Sequence, residues 1–178
     1  MLFHLQTQYN LKFIILSSGL NYRNYYLKNT IMLLHVAVFI ITFIIMEFMA
    51  WFTHKYVMHG FLWNLHADHH EKDHDSWFER NDAFFIFYAI VSIGCFLLWQ
   101  NNILEIALSI GLGIFAYGVA YFIVHDIFIH QRFKMFRNAN NIYAKGVRRA
   151  HKMHHKHRGK EHGECFGMLF VPFKYLKK

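Results

Sequence analysis

The chain has 178 residues, of which 55 % are hydrophobic and 19 % aromatic, with twenty Phe and a single Pro. This length suits one domain and is short for two. So apolar a composition is unusual in a soluble domain and common in one solvated partly by lipid. The formal charge of +8 would indicate a nucleic-acid or anionic partner in a soluble protein. Here the basic residues flank apolar segments, which is typical of the cytoplasmic side of a membrane protein.

Three apolar segments follow an N-terminal stretch of mixed composition. Residues 1–30 are expected to form a polar or interfacial extension, in part disordered, because their apolar run is too short to span a bilayer. Residues 31–52 and 103–124 are runs of twenty-two residues, and residues 83–99 are a shorter run. Twenty-two residues at ~1.5 Å each cover ~33 Å, enough for a ~30 Å hydrocarbon core. Backbone groups in lipid need internal partners, so we expect helices.

Two features inside these runs stand out. Glu47 is a carboxylate within the first run, where a charge is expensive and usually functional. It either accepts a hydrogen bond from the imidazole N–H of a metal ligand or reaches water at the interface. In the third run, Gly111, Gly113 and Gly118 are small enough to let neighbouring helices approach closely.

Ten of the fifteen histidines form two copies of one pattern, H-x4-H followed by H-x2-H-H. The copies are His54, His59, His66, His69 and His70, and then His125, His130, His151, His154 and His155. Residues three and four apart share a helix face, so each triplet can converge on one metal or be divided between two. Residues five apart differ by ~140° around a helix. Each H-x4-H pair therefore serves different metals, unless the helix unwinds at the membrane edge.

The order of the segments places both copies in one compartment. Two crossings joined by a turn at residues 100–102 separate them, and an even number of crossings returns the chain to the same side. Sixteen of the nineteen Lys and Arg lie in residues 53–82 and 125–178, which places that side in the cytoplasm. The sequence thus predicts an all-α membrane bundle of three clear spans, with room for a fourth that is short or re-entrant, and a cytoplasmic histidine-rich cap. The tail is expected to pack beneath the cap.

Ten imidazoles exceed the coordination of one metal and suit two. Imidazole binds zinc, copper, iron and nickel, so the ligand type does not name the metal. The surplus of ligands beside the membrane favours catalysis over a structural site. A pair of redox metals there could activate O2 and attack an unactivated C–H bond of a substrate that enters from the bilayer.

The motifs resemble those of the fatty acid hydroxylase superfamily of membrane di-iron enzymes. The matching segments are His54 to Gly60, Asn81-Asp82, the H-D-x3-H-Q-R run from His125 to Arg132, His151 to His155, and Arg158-Gly159-Lys160-Glu161. The H-D-x3-H-Q-R and R-G-K-E pieces narrow the resemblance to the carotenoid branch. It covers roughly residues 31–172 and implies one hydroxylase domain over residues 31–178.

The resemblance also implies a chemistry. It is that of a non-haem di-iron monooxygenase that uses O2 and electrons from ferredoxin to hydroxylate C3 of the β-ionone rings of β-carotene, giving zeaxanthin through β-cryptoxanthin. The ten histidines named above would be the iron ligands. Glu47 and Asp126 are candidates to accept hydrogen bonds from them, and a basic surface around Arg148 and Arg149 would suit an acidic ferredoxin.

Two other functions stay open at this point. The superfamily motifs also fit a hydroxylase, ketolase or desaturase that acts on a lipid or sterol. A membrane protein that binds or transports metal is the non-enzyme alternative, although a transporter should carry its ligands within the spans, and here they flank them.

Overall fold

The computed structural model describes residues 2–177, with side chains from residue 23 onward, and this part of the chain contains helices and no strand. The elements in chain order are α1 (Leu2–Phe52), the π-helix π1 (Thr53–Phe61), α2 (Trp63–His70), α3 (Asp82–Gln100), α4 (Ala107–Phe122), the π-helix π2 (Ile123–Ile129), α5 (Ile142–Lys156) and α6 (Phe173–Leu176). By its internal contacts the chain divides into two compact units, Met1–Val38 and Phe39–Lys178. All the contacts described below lie within the second unit.

Three helical stretches within residues 23–177 are long and apolar enough to cross a membrane: Arg23–Phe61, Asp82–Gln100 and Ala107–Ile129. The prediction of an all-α protein with three clear spans is confirmed, and residues 23–177 contain no fourth helix of that length and hydropathy. The third span begins four residues after the predicted start at residue 103. Residues 103–106 belong instead to the turn, where the Ile103 N–H donates to the Leu98 carbonyl at 3.0 Å.

The first helix differs from its predicted extent. It begins at Leu2, so the expected extension over residues 1–30 is helical from residue 2 rather than in part disordered. This stretch has no proline, and its one glycine is Gly19. A single glycine costs a helix only about 1 kcal/mol, and nothing else there forces the helix to begin later.

Two of the three glycines of α4 lie where helices approach closely. A Cβ at Gly113 would lie 2.7 Å from the Thr42 Cβ of α1. A Cβ at Gly111 would lie 2.8 Å from the Phe96 ring of α3. Gly118 is less crowded, since its nearest neighbour would be the Phe85 ring at 3.8 Å. The expected close approach therefore holds at the first two positions.

The C-terminal tail packs beneath the histidines, as predicted. Val171 joins Phe128 of π2 and Val147 of α5 in a buried apolar cluster. A second cluster, formed by Met46, Ile114 and Tyr117, lies between α1 and α4. These clusters fix π2, α5 and the tail against the ends of the spans, where the histidines lie.

Candidate metal centre

The structure gathers nine of the ten histidines into two adjoining groups. In each group every imidazole offers a nitrogen within 4.8 Å of those of the other members. Group one is His54, His59, His66, His70 and His154, and group two is His69, His125, His130 and His151. The tenth residue, His155, lies between them, with its ring centroid 4.5 Å from that of His151 and 4.7 Å from that of His70.

Each H-x4-H pair enters a single group because its helix widens. A π-helix bonds residue i to residue i+5, so residues five apart lie one above the other. In π2 this bond joins the two histidines themselves, the His130 N–H donating to the His125 carbonyl at 2.9 Å. In π1 the Leu62 N–H donates to the Val57 carbonyl at 3.0 Å. Of the two expectations for these pairs, the distorted helix is the one found, and the assignment of each pair to different groups is wrong.

The two H-x2-H-H triplets are divided between the groups. In α2, His66 and His70 are four apart and face group one, while His69 faces group two. In α5, His154 belongs to group one and His151 to group two. Each of these helices thus lies across the junction, so the two groups share their supporting elements and stand side by side.

Four of the five Nδ1–H groups of group one, all except that of His70, donate to neutral oxygens. Three acceptors are backbone carbonyls of the tail segment 160–166: Phe166 for His54, Lys160 for His59 and Glu164 for His154, each at 3.0 Å. The fourth acceptor is the Asn81 Oδ1 at 2.7 Å from His66 Nδ1. A histidine ligand is normally oriented in this way through its second ring nitrogen.

Two imidazoles of group two, those of His69 and His125, are oriented by carboxylates instead. His69 Nδ1 lies 2.8 Å from Glu79 Oε2, and His125 Nδ1 lies 3.2 Å from Asp126 Oδ2. Asp126 was expected to accept a hydrogen bond from a ligand imidazole, and it lies where that bond forms.

The nitrogen atoms that face inward fit a cation. The Nε2 atoms of three pairs lie close together: His54–His66 at 3.1 Å, His59–His154 at 3.4 Å and His69–His125 at 3.1 Å. In each pair both rings give their Nδ1 proton to an oxygen, so both neutral rings present only a lone pair at Nε2. Two lone pairs at this distance repel unless a cation accepts both. The Nε2 of His155 is also buried and has no protein partner.

Burial keeps these imidazoles neutral, as metal binding requires. It is the main cause that lowers the pKa of His66 to about 3, of His70 and His154 to about 2, and of His155 to about 4. Burial and the neighbouring imidazoles also lower the pKa values of His69, His130 and His151. The site is therefore ready to bind metal at neutral pH without first releasing protons.

A cavity of about 510 Å³ connects the spans to both groups. Its wall contains His54 of group one and His125 of group two, and most of the rest is aliphatic or aromatic. Ile86 and Phe115 line it and are also 56 % and 57 % exposed on the outside of α3 and α4. The cavity therefore opens sideways, toward the surface that lipid would cover.

Comparison with known proteins agrees with this architecture. The model of the fatty acid hydroxylase family matches residues 39–176. The chain belongs to the fatty acid hydroxylase family. A protein of Pantoea ananas named beta-carotene hydroxylase is 40 % identical over 132 residues, which are 74 % of this chain and 74 % of that protein.

Further relatives of this fatty acid hydroxylase family member carry similar names. A beta-carotene hydroxylase of Pseudescherichia vulneris is 36 % identical over 140 residues, 79 % of this chain and 78 % of that protein. The chloroplastic beta-carotene 3-hydroxylase 2 of Arabidopsis thaliana is 38 % identical over 130 residues, 71 % of this chain and 42 % of that protein. No solved structure matches the chain.

Within this family member, Glu47 has a different role from either one expected. Among the described residues, the partners of its carboxylate are backbone N–H groups and a tyrosine hydroxyl rather than an imidazole. It accepts backbone N–H bonds from Met168, Leu169 and Phe170 at 2.8–3.1 Å and the Tyr117 hydroxyl at 2.7 Å. Glu47 therefore anchors the tail, and it orients group one only through the neighbouring Phe166 carbonyl.

Sequence reasoning missed three residues that orient the site. Glu79 is not among the residues singled out from the sequence, and Asn81 enters there only within the Asn81-Asp82 segment of the family resemblance. The Asn81 side chain makes no cap and bonds His66 instead. Arg132 belongs to the H-D-x3-H-Q-R motif, and it bonds both Asp126 and Glu79. The signal in the sequence is that all three are polar or charged residues beside an apolar span, and that Asn81 and Arg132 belong to matching segments.

Proposed function

We propose that the protein hydroxylates C3 of the β-ionone rings of β-carotene, giving zeaxanthin through β-cryptoxanthin. The observation that carries this proposal is the apolar cavity, which opens sideways between the spans and has a histidine of each group in its wall. An enzyme acting on a hydrocarbon dissolved in the bilayer needs such a route to its metals. The names of the relatives supply the substrate.

The ten histidines are proposed to hold two iron ions, one at each group. Bound there, the iron pair would supply reductive activation of O2, so that one oxygen atom enters the substrate C–H bond and the other leaves as water at the expense of two electrons and two protons. The chain orients the imidazoles through their Nδ1 bonds. The aromatic wall of the cavity, including Phe84 and Phe122, holds a ring of the substrate and excludes water.

The two electrons are proposed to come from ferredoxin or a similar acidic carrier. The positive charge of Arg148 and Arg149 is part of the proposed docking surface, although both side chains are also engaged in backbone bonds. Arg148 donates to the Ala139, Phe136 and Arg137 carbonyls, and Arg149 donates to the Lys177 carbonyl at 2.7 Å. The exposed Lys152 and Lys156 follow the ligands His151 and His155 on α5 and provide positive charge beside the metals.

Charge reversal can test this docking position. The double variant Lys152→Glu, Lys156→Glu should lower ferredoxin-driven turnover and leave dithionite-driven turnover and metal content unchanged. The matched control is Lys134→Glu, Lys145→Glu, which reverses two exposed lysines that do not follow ligand histidines. An equal loss in both double variants would contradict docking at Lys152 and Lys156.

The histidine side is proposed to face the cytoplasm of the bacterial cell, and the hydroxylase domain to cover residues 31–178. The concentration of Lys and Arg beside the histidines supports the orientation. In a background without Cys95 and Cys165, a cysteine at Asn101 should react with an impermeant thiol reagent added to cells, and one at Lys156 should not. The reverse pattern would invert the orientation. Deletion of residues 2–30 should leave the pigment products unchanged.

A pigment assay tests the proposed activity. In cells that make β-carotene, the protein should produce β-cryptoxanthin and zeaxanthin, and His69→Ala should produce neither. A metal-loaded protein that forms no hydroxylated carotenoid would point to a lipid or sterol hydroxylase, ketolase or desaturase. Loosely bound zinc or nickel in place of about two irons per chain would point to a metal-binding or transport protein.

A further inference from the structure

One guanidinium connects the partners that orient group two. Arg132, in the loop after π2, has a side chain that is only 11 % exposed. Its Nε lies 3.0 Å from Asp126 Oδ1, and its Nη2 lies 3.2 Å from Glu79 Oε2 and 2.9 Å from Asp82 Oδ1. It therefore ties π2 to the segment that leads into α3.

Two of these carboxylates also contact an imidazole of group two. Asp126 uses its other oxygen on His125, and the Glu79 oxygen that faces Arg132 also faces His69. The third carboxylate supports this arrangement, because Asp82 Oδ2 accepts the Glu79 backbone N–H at 3.0 Å. A single arginine thus begins two chains that run from cation to carboxylate to imidazole.

Group one has no such arrangement among the contacts described. The Nδ1 partners of four of its imidazoles are three carbonyls and one amide oxygen, all of them neutral, and the Nδ1 of His70 has none among the described residues. A hydrogen bond to a carboxylate is stronger than one to a neutral oxygen, and it makes the imidazole a more basic ligand. The carboxylates of Glu79, Asp82 and Asp126 outnumber the one guanidinium, so the surroundings of group two are also net negative.

We propose that the carboxylates around group two make the two metal positions electronically unlike, and that Arg132 is a positioning residue that sets how large this difference is. This inference rests on the proposed iron binding. The more basic ligands and the negative surroundings favour the higher oxidation state, so the metal at group two is the harder one to reduce. Arg132 limits this difference by neutralising part of the carboxylate charge.

A purely structural role for Arg132 predicts something else. The guanidinium also lies 5.4 Å from the centre of the Trp77 ring, so it could simply hold the loop before α3 in place. Loss of that support would disturb both groups, because the same loop carries Asn81, which orients His66 of group one. The two roles are therefore separated by whether one metal changes or both do.

Spectra of the iron-loaded protein in detergent provide the test. The reduced wild type should show two unequal Mössbauer doublets. Arg132→Met should move one of them and make that iron at least tenfold harder to reduce, and Arg132→Lys should reverse most of this shift because it restores the positive charge. The matched control is Arg80→Met. Arg80 lies in the same segment and bonds Asp68 and Asp73, neither of which contacts an Nδ1 of the ten histidines.

A second measurement keeps the inference testable if Arg132→Met does not fold. Glu79→Gln and Asp126→Asn should each lower the binding affinity for one of two cobalt ions by about 10–100-fold. The measurement is a cobalt titration of the metal-free protein followed by absorbance. Equal changes at both metals, no change at either, or the same effect from Arg80→Met would overturn the inference. Two identical irons in the wild type would overturn this inference and leave the proposed function standing. A wild type that binds no iron would overturn both.

Discussion

The two histidine groups present the same inward-facing nitrogens, yet different parts of the chain orient them. Group one depends on a peptide backbone, since three of its imidazoles bond carbonyls of the tail segment 160–166. Group two depends on two charged side chains beside the spans, Glu79 and Asp126. The first group is therefore sensitive to whether the tail is folded, and the second is sensitive to local charge. Changes to the tail and changes to the carboxylates should separate them.

Removal of the tail anchor should have the largest effect. Glu47→Ala leaves the part-buried N–H groups of Met168 and Leu169 without their acceptor, at about 1–3 kcal/mol each, and also removes the more exposed bond from Phe170. We expect group one to lose its metal first, with a lower melting temperature in detergent. Glu47→Gln keeps an acceptor oxygen, so it should lose less metal and less thermal stability than Glu47→Ala. Simultaneous loss of both metals at every stage of a chelator titration would contradict a tail-specific effect.

Mutation of His155 can show which of the two groups this residue belongs to. Its ring lies 4.5–5.1 Å from those of His151, His69 and His130, whereas His70 is its close neighbour in group one at 4.7 Å. We therefore expect His155 to serve as a fifth member of group two. His155→Ala should then lower the binding affinity for one cobalt ion by about 10–100-fold. His162→Asn, at an exposed histidine with φ 65°, should have no effect. Weakening of the ion at group one would reverse this assignment.

Acid should affect both groups together. The folded pKa values of His66 and His155 are lowered to about 3 and about 4, against ~6.5 in an unfolded chain. Below pH ~6.5 the unfolded state therefore binds protons at these residues that the folded state does not bind. The contribution of these residues to stability is complete above that pH and is lost as the pH falls toward 4 and 3. Urea unfolding of the metal-free protein at pH 8, 6.5 and 5 measures this loss, and equal stability at all three values would contradict it.

The smallest effect is expected at the surface of the tail. Lys174 pairs with the Glu164 side chain, and the Glu164 backbone carbonyl orients His154. An exposed ion pair of this kind contributes little to folding stability because water and salt screen it. Lys174→Met should leave the metal content of both groups unchanged. A loss of metal from group one would mean that the tail is held at this exposed end as well as at Glu47.

The histidine pattern and the apolar runs were enough to predict the spans and the meeting of the ten histidines. The spacing H-x4-H also indicated that the helix might distort, because residues five apart cannot share a face of an α-helix. Both π1 and π2 lie at those pairs. These predictions succeeded because they depend on local periodicity and on the parity of the crossings.

The partners of the imidazoles could not be predicted in the same way. Carbonyl acceptors such as Phe166 and Lys160 belong to a segment without regular structure, and any residue type supplies a carbonyl. The role of Glu47 depends on a contact more than a hundred residues away, at Met168. Such contacts follow from how the tail packs against the spans, and no spacing in the sequence records that.

The sideways opening of the cavity has a kinetic consequence. A substrate that enters past Ile86 and Phe115 is never dissolved in water, so the relevant concentration is its mole fraction among the lipids. Addition of substrate-free lipid at a fixed total amount of enzyme and carotenoid should then slow the reaction by surface dilution. The rate should follow the composition of the bilayer, whatever the volume of the surrounding buffer.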